Sequence, residues 1–124
     1  MKDHLTTAFR DDGQLAEVCK VLCEHASLPG MWVAASGPTA RAEEIIAKGR
    51  GGLSLGQYVT VLAAWELWDE DRLTEQLGGL RFRDIVGVLT GKYLLPLSTL
   101  LVAMAGGPAG VDGWLSKNRL PYPK

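Results

Sequence analysis

Cysteine and histidine are the residues of this chain best suited to metal or redox chemistry, and they gather near its start. Cys19 and Cys23 are four residues apart, with His25 two residues further on and His4 upstream. Thiolate and imidazole are ligands that zinc prefers in tetrahedral sites. On a helix, however, the two cysteines share one face while His25 points elsewhere. Both thiols also belong to an apolar stripe, so we expect two core cysteines, no metal site and no cofactor.

A second group of candidate residues combines tryptophan with carboxylates. Asp69 and Asp71 could attract Mg²⁺ or Ca²⁺, but the glycine and the final glutamate of a calcium loop do not occur at the required offsets. A solvated acidic helix end is therefore the expected structure. Trp65 and Trp68 are three residues apart and have two interpretations, core filling or an exposed aromatic anchor. Together with Asp69 they form the candidate protein-interaction site.

Groups that could act in catalysis are scarce. His4 and His25 are the only histidines, and no serine or cysteine lies in a recognisable nucleophile motif. The stretch Gly49–Gly52 lacks the Lys-Ser/Thr ending and the preceding strand of a phosphate-binding loop. We therefore predict a non-enzymatic protein in which this stretch ends one helix and leads to the next.

Helical periodicity predicts the elements that must position these residues. The first predicted helix is capped by Asp11 or Asp12 and ends over residues 27–30, where proline and glycine follow one another. Its apolar face comprises Leu15, Val18, Cys19, Leu22, Cys23 and Ala26. A second helix is predicted to begin near residues 36–39 and to stop at Gly49. Its inward residues are Ala42, Ile45 and Ile46. The run over residues 31–35 is ambiguous.

Ser54 and Gln57 form a capping box that opens the longest predicted helix. Its middle, residues 61–67, is apolar on almost every side, which predicts a central helix packed by several neighbours. Its predicted inward residues are Leu55, Tyr58, Val59, Leu62, Trp65 and Leu73. Three shorter helices are predicted over residues 81–90, 97–105 and 109–116. The fold class that follows is all-α, a compact orthogonal bundle of six or seven short helices in a single domain over residues 1–124.

The C-terminal part carries the most specific motif. An apolar helix over residues 97–105 is followed by the turn Gly106-Gly107-Pro108, and the next helix has Val111 and then Trp114-Leu115 before a basic tail that reaches Pro121. This segment, residues 97–121, resembles the helix-turn-helix of the Cro/C1-type repressor family, most closely its short prophage members. The resemblance implies a DNA-binding regulator of transcription.

The resemblance also implies a role for individual residues. The inward residues of the first helix would be Leu100, Leu101 and Met104, and Ala105 would stand where the family usually has glycine. Val111 and Trp114 would anchor the second helix inside. The residues facing the major groove would be Ala109, Gly110, Asp112 and Gly113. The residues near phosphates would be Ser116, Lys117, Asn118 and Arg119.

Charge divides the chain into two parts. The net charge is −1, but residues 1–80 hold seven Lys/Arg and twelve Asp/Glu, whereas residues 81–124 hold six Lys/Arg and two Asp/Glu. An acidic part joined to a basic part is typical of a protein that meets an anionic partner, here duplex DNA. The alternative is a helical protein-protein interaction module, an adaptor or inhibitor, which binds through the acidic and tryptophan-containing face.

Association and location are the last properties that the sequence predicts. A helix as apolar as Tyr58 to Trp68 would leave surplus hydrophobic surface, so we expect a homodimer. The longest apolar run, Leu94 to Gly107, is too short to span a bilayer and contains Pro96, so no membrane partner is expected. Charged residues interrupt the start of the chain, which predicts a cytoplasmic protein with reduced thiols.

Overall fold

The computed structural model describes residues 8–34, 36–69 and 91–119. These residues form five helices and one small hairpin, and the helices and strands are numbered here in chain order. The elements are α1 (Asp12–His25), β1 (Trp32–Val33), β2 (Gly37–Pro38), α2 (Ala40–Lys48), α3 (Leu55–Trp68), α4 (Gly91–Met104) and α5 (Gly107–Asn118). The chain is thus predominantly helical, as predicted. The described residues contain five helices rather than six or seven, and the helix predicted over residues 81–90 lies outside them.

Helix α1 is the element against which the others assemble, since α3, α4, α5 and both strands contact it. It begins where Asp11 accepts a hydrogen bond from the backbone N–H of Gln14 at 2.8 Å. It ends where the carbonyl of Cys23 accepts hydrogen bonds from the N–H groups of Ala26 and Leu28. Both ends were predicted, because a capping aspartate and a Pro-Gly pair are local signals.

Helix α3 confirms the prediction of a helix enclosed on all sides at its middle. Every residue from Val59 to Trp65 is buried. The capping box is present: the Ser54 hydroxyl accepts from the Gln57 N–H, and the Gln57 side chain accepts from the Ser54 N–H, both at 3.1 Å. Leu55 was predicted to point inward but is exposed, because it occupies the first helical position, ahead of the enclosed turns. Leu73 lies outside the described residues.

The hairpin β1–β2 is a feature that the sequence pattern did not predict. Trp32 pairs with Pro38 and Val33 pairs with Gly37 in antiparallel register. Strands of two residues are too short to show alternation of apolar and polar side chains. Gly37 has a φ of 98°, and a Cβ atom there would lie 2.8 Å from the Trp68 ring. A glycine is therefore required here both by the backbone conformation and by the close approach of α3.

Helix α2 follows the hairpin and agrees with the prediction. Ala42, Ile45 and Ile46 are buried, and Gly49 ends the helix with a φ of 99°. The N–H of Thr39 donates to the carbonyl of Met31 at 2.9 Å, which ties the start of α2 to the chain just before β1.

Helix α4 begins at Gly91, six residues before the predicted start at Leu97, and holds Pro96 in its interior. Proline cannot donate the helical hydrogen bond at its position, which is why the sequence placed the start after it. The tertiary packing overrides this local signal, since Leu97 and Leu100 are buried in the common core. No helix within the described residues is long and apolar enough to cross a membrane.

Candidate interaction face of the C-terminal helical hairpin

Helices α4 and α5 form a tight hairpin joined by Ala105 and Gly106. The N–H of Gly106 donates to the carbonyl of Ala103 at 2.9 Å, and Gly107 adopts a φ of 70°. The two helices then pass very close to one another. A Cβ atom at Gly110 would lie 2.3 Å from the Ala103 carbonyl oxygen, so only glycine allows this approach.

The inner face of the hairpin contains the anchors that the helix-turn-helix resemblance implied. Val111 and Trp114 are buried, together with Leu100 and Leu115. The Trp114 indole donates to the Pro96 carbonyl at 3.1 Å and to the Thr99 hydroxyl at 3.0 Å. The Trp114 side chain, the largest of α5, is thus buried and also hydrogen-bonded to α4.

Two of the inward residues implied for α4 do not lie fully inside. Leu101 is 53% exposed, and Met104 is half-buried. The implied inward set required Leu100 and Leu101 to face the core together. Neighbouring residues on a helix point about 100° apart, and the core here covers the side of α4 that carries Leu100.

Asp112, implied to face the major groove, instead contacts Gln14 of α1 and Arg10, which lies two residues before α1. The Arg10 guanidinium forms an ion pair with its carboxylate, and the Gln14 amide donates to the same carboxylate at 2.8 Å. The Gln14 amide also donates to the Pro108 carbonyl at 3.0 Å. The hydrogen bond from Arg10 holds the pKa of Asp112 below its ordinary value, and Gln14 adds to the effect. The same pair raises the pKa of Arg10.

Arg119 and Asn118, implied to lie near phosphates, also make contacts within the fold. The Arg119 guanidinium donates to the Glu17 carboxylate at 2.7 Å. The Asn118 amide donates to the Trp114 carbonyl at 2.9 Å, and the Asn118 carbonyl accepts from His25 at 2.7 Å. The bonds to Glu17 and His25 tie the end of α5 to α1.

The remaining residues of the DNA-binding prediction are exposed on α5. They are Ala109, Gly113, Ser116 and Lys117. Lys117 is the one cation among them, and two of the others have no polar side chain. Asp112, Asn118 and Arg119 make contacts within the chain, but the side chains of Asp112 and Arg119 are still 51% exposed.

The outer face of α4 carries an exposed apolar stripe that the sequence reasoning missed. The α4 stripe is defined here by Leu94, Leu95, Ser98, Leu101 and Val102. Leu95 is 65% exposed and Val102 is 76% exposed, while Leu94 is half-buried. These residues recur at spacings of three and four, which places them on one side of the helix. The available signal was the absence of any charged residue between Lys92 and Asp112.

A groove between α4 and α5 continues the α4 stripe. Its volume is about 450 Å³, and its lining includes Leu95, Val102, Gly110, Gly113 and Trp114. Gly113 leaves open space on the α5 side of the groove, because a Cβ atom there would meet no atom within 4 Å. The stripe and the groove together form one apolar surface with Lys117 at its edge.

The predicted interaction site on α3, comprising Trp65, Trp68 and Asp69, does not form one exposed surface. Trp65 is 1% exposed and packs edge-on against Trp32, with ring centroids 5.4 Å apart. Of the two interpretations, core filling therefore describes Trp65, and the exposed anchor does not. Trp68 is half-buried against Gly37, and the Asp69 N–H donates to the Trp65 carbonyl at 2.8 Å.

Cys19 and Cys23 are fully buried, as expected of core cysteines. Burial raises the pKa of both thiols above the ordinary value, and the Cys19 thiol donates to the Ala64 carbonyl at 3.5 Å. Among the described residues, no group of three or more His, Cys, Asp or Glu side chains is placed to hold a metal ion.

The glycine-rich stretch after α2 lines a second groove of about 450 Å³ with Arg41, Lys48 and Arg50. Lys48 already pairs with Glu44 at 3.3 Å, and Arg41 donates to the Pro29 carbonyl at 3.3 Å. The groove also lies at the C-terminal end of α2, where the helix dipole disfavours anions. The geometry therefore agrees with a helix stop rather than with a phosphate site.

Comparisons with known proteins found no matching family model, no matching curated protein and no matching solved structure.

Proposed function

We propose that this protein is a non-enzymatic, helical protein-protein interaction module whose contact face is the α4 stripe with the adjoining groove. The observation that carries the proposal is the position of the exposed apolar side chains. Of the five large hydrophobic residues that are exposed in the described part of the chain, Leu95, Leu101 and Val102 lie on α4. Contiguous apolar surface of this kind is typical of protein interaction sites.

The chemistry of this surface indicates an apolar partner helix. No charged residue occurs on α4 beyond Lys92, so the stripe offers nothing for an acidic or basic partner to pair with. The Ser98 hydroxyl donates to the Leu95 carbonyl at 3.1 Å, which leaves no donor of the stripe without an acceptor when water is expelled. Apolar helices that bind in grooves use residues at the same three- and four-residue spacing.

The non-enzymatic part of the proposal follows from where the reactive groups lie. The His25 imidazole donates to the Asn118 carbonyl, and the thiols of Cys19 and Cys23 are fully buried. None of the three faces the α4–α5 groove. Free buried thiols also suit a reducing compartment, so the proposed place of action is the cytoplasm.

Photo-cross-linking tests this function directly. A photoreactive phenylalanine analogue is introduced into the full chain at Leu95 or at Val102, and Val33 on the hairpin, which is also exposed, is the control. After irradiation in extract of the source cells, we expect the same protein, identified by mass spectrometry, at both stripe positions and not at position 33. The purified partner, or a second copy of this chain, should reproduce the adduct. No adduct at either position, or equal yield at position 33, would exclude the function.

DNA binding is a second candidate, favoured by the buried Val111 and Trp114 of the α4–α5 hairpin and by the exposed Lys117. A transcription regulator of this kind would contact few phosphates, so its affinity should be modest and should fall steeply between about 50 and 200 mM salt.

The test is a titration of labelled duplex DNA at several salt concentrations. Lys117→Ala and Arg119→Ala should weaken binding to every sequence and each lower the salt slope by about one. Lys48→Ala, which removes a cation paired with Glu44 on α2, is the matched control. Absence of affinity at low salt would remove this candidate and leave the interaction module.

A further inference from the structure

We infer that the occupant of the α4 stripe is a second copy of this chain, bound antiparallel across a two-fold axis that passes near Ser98. The inference rests on the proposed function, because it names the partner of the same surface. It also moves the predicted dimer contact. The surplus apolar surface was expected on α3, but residues 59–65 of α3 are enclosed in the core and are not available to a partner.

The order of residues along the stripe is symmetric about Ser98. Leu94 and Leu95 precede Ser98 by four and three residues, and Leu101 and Val102 follow it by three and four. An antiparallel copy therefore places Leu94 opposite Val102 and Leu95 opposite Leu101. The small residue lies at the axis, where two helices approach most closely. A two-fold interface requires this kind of self-complementary patch.

The uncharged character of the stripe also favours a second copy. A partner must bury its own surface against side chains that carry no charge, and the stripe of a second copy meets this requirement. The hydroxyls beside the axis do not oppose burial. Ser98 donates to the Leu95 carbonyl, and Thr99 donates to the same carbonyl at 2.9 Å and to the Pro96 carbonyl at 3.1 Å.

The size of the stripe sets the strength of the dimer. From Leu94 to Val102 the helix rises only about 12 Å. Stable interfaces bury about 800 Å² on each partner, which exceeds what a stripe of this length can supply without the neighbouring groove. We therefore expect a reversible dimer that dissociates on dilution.

Sedimentation velocity of the full chain over a hundredfold range of concentration tests this inference. The wild-type protein should pass from 13.4 kDa to twice that mass as concentration rises. Val102→Glu should raise the dissociation constant at least tenfold, since it puts a carboxylate opposite Leu94 of the other copy. Val33→Glu, an equal change at an exposed residue outside the stripe, should not change it. Far-ultraviolet circular dichroism confirms that both variants are folded. A constant 13.4 kDa mass, or equal effects of the two variants, would overturn the inference.

A disulfide test fixes the axis. Ser98→Cys should form a cross-linked dimer under mild oxidation, because residues at the axis reach the Cα separation of about 4.4–6.8 Å that a disulfide needs. Ser116→Cys, at an exposed serine of α5, is the control and should cross-link much more slowly. Equal rates at the two positions would overturn the proposed axis.

One combination of results would refute the second copy and leave the interaction module in place. In it, the wild-type chain is monomeric, and the photoreactive residues at Leu95 and Val102 form adducts with a different protein.

Discussion

The two ends of the described fold treat apolar residues in opposite ways. In the N-terminal region, comprising α1, the hairpin, α2 and α3, most apolar residues are enclosed, with Val33 and Leu55 as exposed exceptions, and seven consecutive residues of α3 are buried. In the C-terminal hairpin, α4 buries Leu97 and Leu100 but turns Leu95, Leu101 and Val102 outward. α3 and α4 have similarly high apolar content, so composition alone does not decide exposure. The position of each helix relative to the core does: residues 59–65 of α3 lie within the core on every side, whereas the core covers only the side of α4 that carries Leu97 and Leu100.

The largest effect is expected from removing the anchor that holds the hairpin to this core. Trp114→Ala deletes a buried indole and its hydrogen bonds to Pro96 and Thr99, and should lower the free energy of unfolding by about 3–5 kcal/mol. Leu101→Ala removes an exposed side chain of the same hairpin and should change it by less than about 0.5 kcal/mol. Urea unfolding at low protein concentration measures both. Similar losses for the two variants would show that the hairpin has no distinct inside and outside.

The rate of thiol labelling compares the accessibility of the two regions. Cys19 and Cys23 are fully buried in α1, and burial raises the pKa of both thiols, so they should react only when the fold opens. A cysteine introduced by Ser98→Cys on the exposed stripe should react at least about 1000-fold faster under reducing-agent-free, monomeric conditions. Stopped-flow labelling with a chromogenic disulfide measures the rates. Fast labelling of the native thiols would contradict an enclosed N-terminal region.

The glycines of α5 should respond to the same substitution with opposite signs. Gly110→Ala forces a Cβ against the Ala103 carbonyl oxygen and should destabilise the protein by about 1–3 kcal/mol. Gly113→Ala meets no atom within 4 Å and should stabilise the helix by up to about 1 kcal/mol. Thermal unfolding of the two variants provides the measurement. A tolerated Gly110→Ala would mean that α4 and α5 are not in close contact.

The smallest effect concerns the ion pair that links the two regions. The pKa of Asp112 in the folded state is lowered from its ordinary value of 3.8, chiefly by the hydrogen bond from Arg10. The folded state thus binds that proton less readily than the unfolded state, so the stabilisation is present above about pH 4 and is lost as pH falls through the lowered pKa. Asp112→Asn should slightly reduce stability at neutral pH and flatten its decline below about pH 4.

Chemical unfolding of wild type and Asp112→Asn at several pH values from 7 down to 3 tests this. Asp12→Asn removes a carboxylate from an exposed residue of α1 and serves as the control variant. Identical pH profiles for wild type and Asp112→Asn would show that the Arg10 pair contributes nothing in solution.

The elements that the sequence predicted share a local cause. The Asp11 cap, the Ser54–Gln57 capping box and the Gly49 stop depend on hydrogen bonds and backbone angles within a few residues. The apolar periodicity of α1 and α2 identified their buried faces because each of these helices has one solvent-exposed face and one face in the core. Buried cysteines followed from the same pattern.

The candidate site could not be predicted in the same way. The resemblance of residues 97–121 to a helix-turn-helix correctly implied that Val111 and Trp114 are buried, since their spacing is local. The partners of Asp112 and Arg119 are Arg10, Gln14 and Glu17, which lie about a hundred residues earlier in the chain. Sequence spacing carries no information about contacts between residues so far apart.

By itself, then, the sequence of this protein determined where most helices begin and end, which residues of α1 and α2 point inward, and that the chain is mainly helical. Tertiary structure alone decided that α4 starts before Pro96, that Trp65 is core and that Gly110 touches Ala103. It also decided that the free apolar surface lies on α4 rather than on α3. The physical reason is that burial depends on which sides of a helix are covered by other elements, and those elements are supplied by distant parts of the chain.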